Sequence, residues 1–101
     1  PHGLAVGADC VITSIIGFNR GLLGVDALER IILLGQSIDF LPSHAIYHQH
    51  DIMWASLIDM TVHRGGNQNL PVPTNIGEYA FLQDLEFDEM KIAVNIFREA
   101  R

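Results

Sequence analysis

The stretch whose reading decides the fold is residues 1–34, PHGLAVGADCVITSIIGFNRGLLGVDALERIILL. Asp9 is the one charged residue between Gly3 and Asn19. A segment this apolar, with no proline inside it, reads as a helix buried on most sides. Pro1 suits a helix start, and NRGLLG supplies the stop with Gly21 and Gly24. His2, Asp9 and Thr13 are seven and four apart, so they fall close to one line on that helix. Two readings of the line stand side by side. It is a polar stripe in polar company, such as a ligand cavity, or it is the solvent face, with His2 at a frayed end.

Working outward, Asp26 is expected to cap a second helix, DALERIILLGQSI, with Glu29 at the third position of a capping box. Leu28, Ile31, Ile32 and either Leu34 or Gly35 form its apolar face. Pro42 breaks the connector DFLPSHAIYHQHD. Asp51 opens a third helix, IMWASLIDMTVHR, with Ile52, Trp54 or Ala55, Leu57, Ile58 and Val62 at helical spacing. GGNQN ends it. LPVP and EYAFLQDL, joined by TNIG, read as a small hairpin, with Pro71 and Pro73 marking its first strand as an edge. A last helix starts near Glu86 and buries Phe87, Met90, Val94 and Phe97. The fold class is mainly α with one small β-hairpin.

The 101 residues allow one domain with a modest core. A hydrophobic content of 49% and a mean hydropathy of +0.23 predict surface that another domain or subunit covers. The net charge of -6, with Lys91 the single lysine, leaves no basic patch, so nucleic acid and anionic membrane are poor partners. One cysteine, Cys10, fits a reducing compartment and reads as a buried, inert thiol. The run from Leu4 to Ile16 is too short to span a bilayer and has no basic region before it, so a cytoplasmic protein is expected. Pro1, with no initiator methionine before it, leads us to expect a piece of a longer polypeptide.

HGLAVGADC resembles the HGEAV segment of the 3-dehydroquinate synthase superfamily, the sugar phosphate cyclases. RGLLGVDALERIILL is similar to the turn and helix that follow in that family. LIDMTVHRGGNQNLPVPTNIGEYAFLQDL resembles a later block with a basic-Gly-Gly turn and a hairpin. The three are in order over nearly the whole chain. The resemblance implies that residues 1–101 are a partial C-terminal metal- and substrate-binding helical domain, without the N-terminal NAD-binding domain. It also implies one metal ligand, His2, for zinc or cobalt, with the other two ligands upstream. For the intact enzyme it implies NAD, a divalent metal and a sequence of steps on one sugar phosphate: transient oxidation, loss of phosphate, return of the hydride and aldol closure of a cyclitol ring. A homodimer is implied for the full-length protein. The piece alone is expected to be inactive, with no catalytic residue of its own.

Departures from the quinate-forming pattern narrow the branch. The glutamate after HG is Leu4, the usual GM is Ala8-Asp9, and the DKK stretch is Asp59-Met60-Thr61. Losing that lysine removes a cation suited to a carboxylated substrate. The sequence is therefore more similar to the branch acting on sedoheptulose 7-phosphate, with 2-epi-5-epi-valiolone and demethyl-4-deoxygadusol synthases among its members. The alternatives are a dehydroquinate synthase of the shikimate pathway and a non-catalytic helical interaction module.

His63 and Arg64, at a helix end beside Gly65 and Gly66, are candidates for contact with substrate hydroxyls or phosphate; both also suit the negative end of a helix. Asp9 is a third substrate-side candidate, with Thr13 beside it. His44, His48, His50 and Asp51 form a rival metal constellation, set against a solvated loop whose Asp51 caps the third helix. Phe18, Phe40, Trp54, Phe81, Phe87 and Phe97 are expected in the core, as are the methionines Met53, Met60 and Met90.

Overall fold

The computed structural model describes residues 2–37, 49–63 and 65–99; over 2–8 and 60–63 it describes the backbone path alone. Among the described residues the order is α1 (His2–Asn19), α2 (Val25–Ser37), α3 (His50–His63), β1 (Leu70–Asn75), β2 (Glu78–Leu82) and α4 (Phe87–Glu99). The expected mainly helical plan with one hairpin is what the chain adopts.

The end of α1 is set by Gly21. Its φ of 78° lies in the left-handed region that glycine enters without a Cβ penalty. Leu22 N–H donates to the Gly17 carbonyl at 2.8 Å, and Gly21 N–H donates to the Phe18 carbonyl at 2.9 Å. That pair of bonds is a Schellman closure. Gly24 has a different task from the expected stop. Its carbonyl accepts from Leu28 N–H at 3.1 Å, so Gly24, not Asp26, caps α2. Asp26 lies inside the first turn and favours the helix dipole from there. The same correction applies to α3: the Gln49 carbonyl accepts from Met53 N–H, which leaves Asp51 in the first turn. At α4 the expected start holds. The Glu86 carbonyl accepts from Met90 N–H, and Glu86 N–H points back to Glu89 Oε1 at 3.4 Å, half of a capping box.

Helix α1 is the central element, packed against α2, α4 and β1, while α3 lies on α4. Val11, Ile12, Ile15 and Ile16 give α1 its core face. Opposite them stand Met90, Ala93, Val94 and Phe97, spaced i, i+3, i+4, i+7 on α4. Phe97 and Val94 are wholly buried, each contributing about 1.5–3 kcal/mol of hydrophobic stabilisation. Ser14, also buried, donates its hydroxyl to the Cys10 carbonyl at 2.6 Å, so no orphan polar group results. On α2 Leu28 and Gly35 are buried and Ile31 and Ile32 pack against the core partly buried, as expected; of the alternatives Leu34 and Gly35, Leu34 points outward.

Several side chains expected inside are outside. Phe18 and Phe81 are exposed, and Phe87 is only half-buried, its ring meeting Trp54 edge-on at 5.9 Å. On α3 the inward side is Met53, Trp54 and Leu57, while Ile52 and Ile58 face out. Cys10 is exposed, against the expectation of a buried thiol, because it falls off the face that Val11, Ile12, Ile15 and Ile16 bury. Exposed apolar side chains are also found on α2 (Leu33, Leu34) and α4 (Ile92, Ile96). Phe40, and the side chain of Met60, lie outside the described residues.

The hairpin pairs Leu70 with Leu82, Val72 with Ala80 and Pro73 with Tyr79, antiparallel, with an irregularity between Pro73 and Asn75. Gly77, φ 81°, makes its turn. Below the last backbone pair, side-chain amides extend the ladder. Gln68 donates to the Leu85 carbonyl at 2.9 Å and accepts from Leu85 N–H at 2.8 Å. Gln83 likewise donates to Asn69 Oδ1 and accepts from Asn69 N–H at 3.0 Å. These clamps fix the hairpin root, so Val72 is held wholly buried against α1.

Candidate functional site

A cleft of about 500 Å³ opens between α1, α3 and the hairpin. Asp9, Cys10 and Thr13 reach it from α1, Met53, Ser56 and Leu57 from α3, and Pro71, Pro73 and Tyr79 from the hairpin. Asp9 and Thr13 thus share one wall, as their spacing of four requires. Thr13 donates its hydroxyl to the Cys10 carbonyl at 3.1 Å, which leaves its oxygen as an acceptor. Asp9 is exposed at its outer side, yet the apolar walls keep part of its water away, and this desolvation raises its carboxyl above the ordinary value of 3.8. Ser56 and Tyr79 were not expected here: α3 has little amphipathic contrast to mark its inward side, and Tyr79 comes to the cleft through the pairing of the hairpin.

His2 occupies the first position of α1, on the same helical line as Asp9 and two turns before it. His63 is the last residue of α3. Arg64 lies outside the described residues. The turn after it has Gly65 and Gly66 at φ 71° and 86°, which explains the helix stop that the sequence placed there. Of the rival constellation, His44 and His48 lie outside the described residues. His50 has a partner in the fold: its Nε2 is 3.0 Å from Asn95 Oδ1, which also accepts from Arg98 Nη1 at 3.3 Å. Among the described residues, no group of three His, Cys, Asp or Glu side chains is placed to hold a metal ion.

A residue the sequence reading passed over sets where α1 lies. Arg20, just past α1, grips Glu89 of α4 with two hydrogen bonds, Nε to Oε2 at 2.5 Å and Nη2 to Oε1 at 2.7 Å. Nη1 donates to Asp84 Oδ1 at 2.7 Å. These bonds, Glu89 first, raise the guanidinium pKa further above its already high ordinary value. The hydrogen bond from Arg20 holds the Asp84 carboxyl below its ordinary value. A bidentate guanidinium–carboxylate pair is directional as well as attractive, so it fastens the end of α1 to the start of α4. No helix among the described residues is long and apolar enough to cross a membrane.

No protein-family model matches the chain. Individual relatives do. A 2-epi-5-epi-valiolone synthase of Streptomyces albus is 35% identical over 98 residues, 97% of this chain and 24% of that protein. A demethyl-4-deoxygadusol synthase of Trichormus variabilis is 28% identical over 97% of this chain and 24% of its own length. Among solved structures, ValA, the 2-epi-5-epi-valiolone synthase of Streptomyces hygroscopicus subsp. jinggangensis with NAD+ and Zn2+ bound, superposes with a TM-score of 0.91. The match has 31% identity and covers 98% of this chain and 27% of that one. The mainly helical piece with its hairpin is therefore a relative of the sugar phosphate cyclases. The relatives it matches are 2-epi-5-epi-valiolone and demethyl-4-deoxygadusol synthases, members of the branch to which the departures at Leu4, Asp9 and Met60 point. It spans about a quarter of the length of these relatives.

Proposed function

We propose that residues 1–101 are the metal- and substrate-binding part of the C-terminal helical domain of a sugar phosphate cyclase acting on sedoheptulose 7-phosphate. The observation that carries the reading is the match to valiolone synthases along 97% of the chain, on a helix whose line holds His2, Asp9 and Thr13. In this reading His2 supplies one imidazole to a divalent metal. The donor chemistry fits as one member of a set: no complete three-donor group is found among the described residues, and in this reading the other two ligands belong to the rest of the enzyme. Zinc would act as a Lewis acid at the substrate oxygens, and NAD would accept and return a hydride.

The chain's own residues bind and orient. Asp9, an acceptor with its carboxyl raised by desolvation, takes a hydrogen bond from a sugar hydroxyl, and the Thr13 oxygen accepts another. A carboxylate at this wall repels phosphate, so the phosphate end lies away from Asp9. His63 and Arg64 serve it from the end of α3. The absence of a lysine at Met60 suits a substrate without a carboxylate.

The test is phosphate release by the full-length enzyme with NAD and a divalent metal. Release from sedoheptulose 7-phosphate and not from the shikimate-pathway substrate supports the reading; the reverse preference assigns the chain to dehydroquinate synthesis. His2→Ala should lose turnover and bound metal together while far-UV circular dichroism is unchanged. Full activity in that variant removes His2 from the site.

A further inference from the structure

The two edges of the hairpin differ. Pro71 and Pro73 have no N–H, so their pairs with Phe81 and Tyr79 cannot be the hydrogen-bonded ones. The ladder bonds therefore run between Leu70 and Leu82 and between Val72 and Ala80. On β1 the carbonyls of Pro71 and Pro73 then point away from β2. That edge is turned to α1, where the Pro73 carbonyl oxygen would meet a Cβ on Gly17 at 2.9 Å. On β2 the N–H and C=O groups of Tyr79 and Phe81 point the other way. No other backbone group among the described residues bonds to them.

Free sheet edges are ordinarily guarded by a lysine, a proline, a bulge or an inward charge. The guards of this hairpin stand on β1, which has both prolines and the irregularity between Pro73 and Asn75. From Tyr79 to Leu82, β2 has no charge, no proline and no glycine. Its outward-pointing residues are exposed aromatics whose rings meet edge-on at 5.4 Å. We infer that the outer edge of β2 pairs antiparallel with β2 of a second copy of the chain, about a two-fold axis at Ala80, so that two hairpins form one continuous sheet. Symmetry and charge select this occupant. With the axis at Ala80, Tyr79 stands opposite Phe81 of the second copy and Phe81 opposite its Tyr79. Each outward N–H then finds an outward carbonyl. The same register sets the aromatic side chains of the two copies beside one another on the face opposite Val72. Glu78, the one charge on β2, falls opposite Leu82 of the second copy and not opposite its Glu78. A chain of net charge -6 can therefore approach itself here without setting like charges face to face.

The test uses the full-length enzyme and needs no turnover, so its result is independent of the substrate assignment. In this register Ala80 faces Ala80 of the second copy in a non-hydrogen-bonded pair, with Cα atoms about 4.5 Å apart, within reach of a disulfide. Ala80→Cys, made in a Cys10→Ser background and oxidised with copper phenanthroline, should give a covalent dimer. Mass spectrometry should identify its link as the β2 peptide joined to itself. The second readout uses the unsubstituted enzyme, so it does not depend on how the variant folds. Hydrogen exchange resolved to single residues should find the Tyr79 and Phe81 amides exchanging about 100-fold more slowly than unpaired ones. Exchange at the unpaired rate overturns the inference. So does slow exchange without the self-linked peptide, which would give the edge to a strand from elsewhere in the same polypeptide. A covalent dimer joined only through some other cysteine overturns it as well.

Discussion

Gly17 sits where α1 passes closest to the hairpin. A Cβ built on it would lie 2.9 Å from the Pro73 carbonyl oxygen, against 3.4–4 Å for ordinary contact. Gly17→Ala therefore sets two effects against each other. In a helix interior alanine is favoured over glycine by about 1 kcal/mol. Forcing a methyl into a packed contact costs about 1–3 kcal/mol. The atom in the way is backbone, in a strand whose Pro73 is fixed in φ and paired opposite Tyr79. It cannot swing aside, so the strand and α1 must separate by about half an ångström. The new methyl gains only ordinary contacts, with Leu23 Cβ at 3.7 Å and Val72 Cβ at 3.8 Å. The expected net result is a loss of about 1 kcal/mol, which is about fivefold in an opening equilibrium. Native-state hydrogen exchange read by mass spectrometry should show that acceleration in α1 and β1 and not in α2. Slower exchange throughout α1 would mean that helix propensity wins and that the close approach is unimportant.

Arg20→Ala removes both bonds to Glu89 and both to Asp84, one to its carboxylate and one to its carbonyl; with both partners of the main pair partly shielded, the fold should lose about 1–2 kcal/mol, measured by urea denaturation. The two shifted carboxyls have opposite signs with pH. Asp84, lowered by Arg20, stabilises the fold above its unfolded value near 3.8 and loses that contribution as pH falls through its folded value, so Asp84→Asn should flatten the acid limb of the stability curve. Asp9, raised by desolvation, is favoured in its protonated form. Its stabilising contribution is complete below pH 3.8 and disappears as pH rises through the folded value. Asp9→Asn should therefore be more stable than the parent at neutral pH and indistinguishable from it in strong acid, while weakening substrate affinity of the full-length enzyme. Phe97→Ala, at a wholly buried site, should cost about 3–5 kcal/mol in the same denaturation assay.

Legibility from sequence followed the strength of local signals. The run from Val11 to Ile16 and the i, i+3, i+4, i+7 series on α4 are tertiary packing written in one dimension, and both helices formed where expected. The prolines and the Asn-Ile-Gly turn gave the hairpin. Both of these caps lie two residues before the expected ones, because Asp26 and Asp51 carry the strongest capping side chains while the carbonyls of Gly24 and Gln49 accept the first helical bonds. Cys10, Phe18 and Phe81 were placed inside on hydrophobicity alone, which does not say which way a side chain points. The Arg20 clasp spans 69 residues to Glu89, and no local pattern reports such a partner. Asp9 and Thr13 were paired by helical spacing, but the cleft they border depends on how α3 and the hairpin meet α1.

The root of the hairpin is closed by Gln68, Asn69 and Gln83, whose carboxamides carry no charge at any pH a protein survives. The rim of the α1–α4 junction is fastened by ions laid over an apolar core that acid leaves untouched. As acid is added, that rim weakens while the amide clasps of the hairpin keep their full strength, so loosening should begin where α1 ends and not at the root of the ribbon.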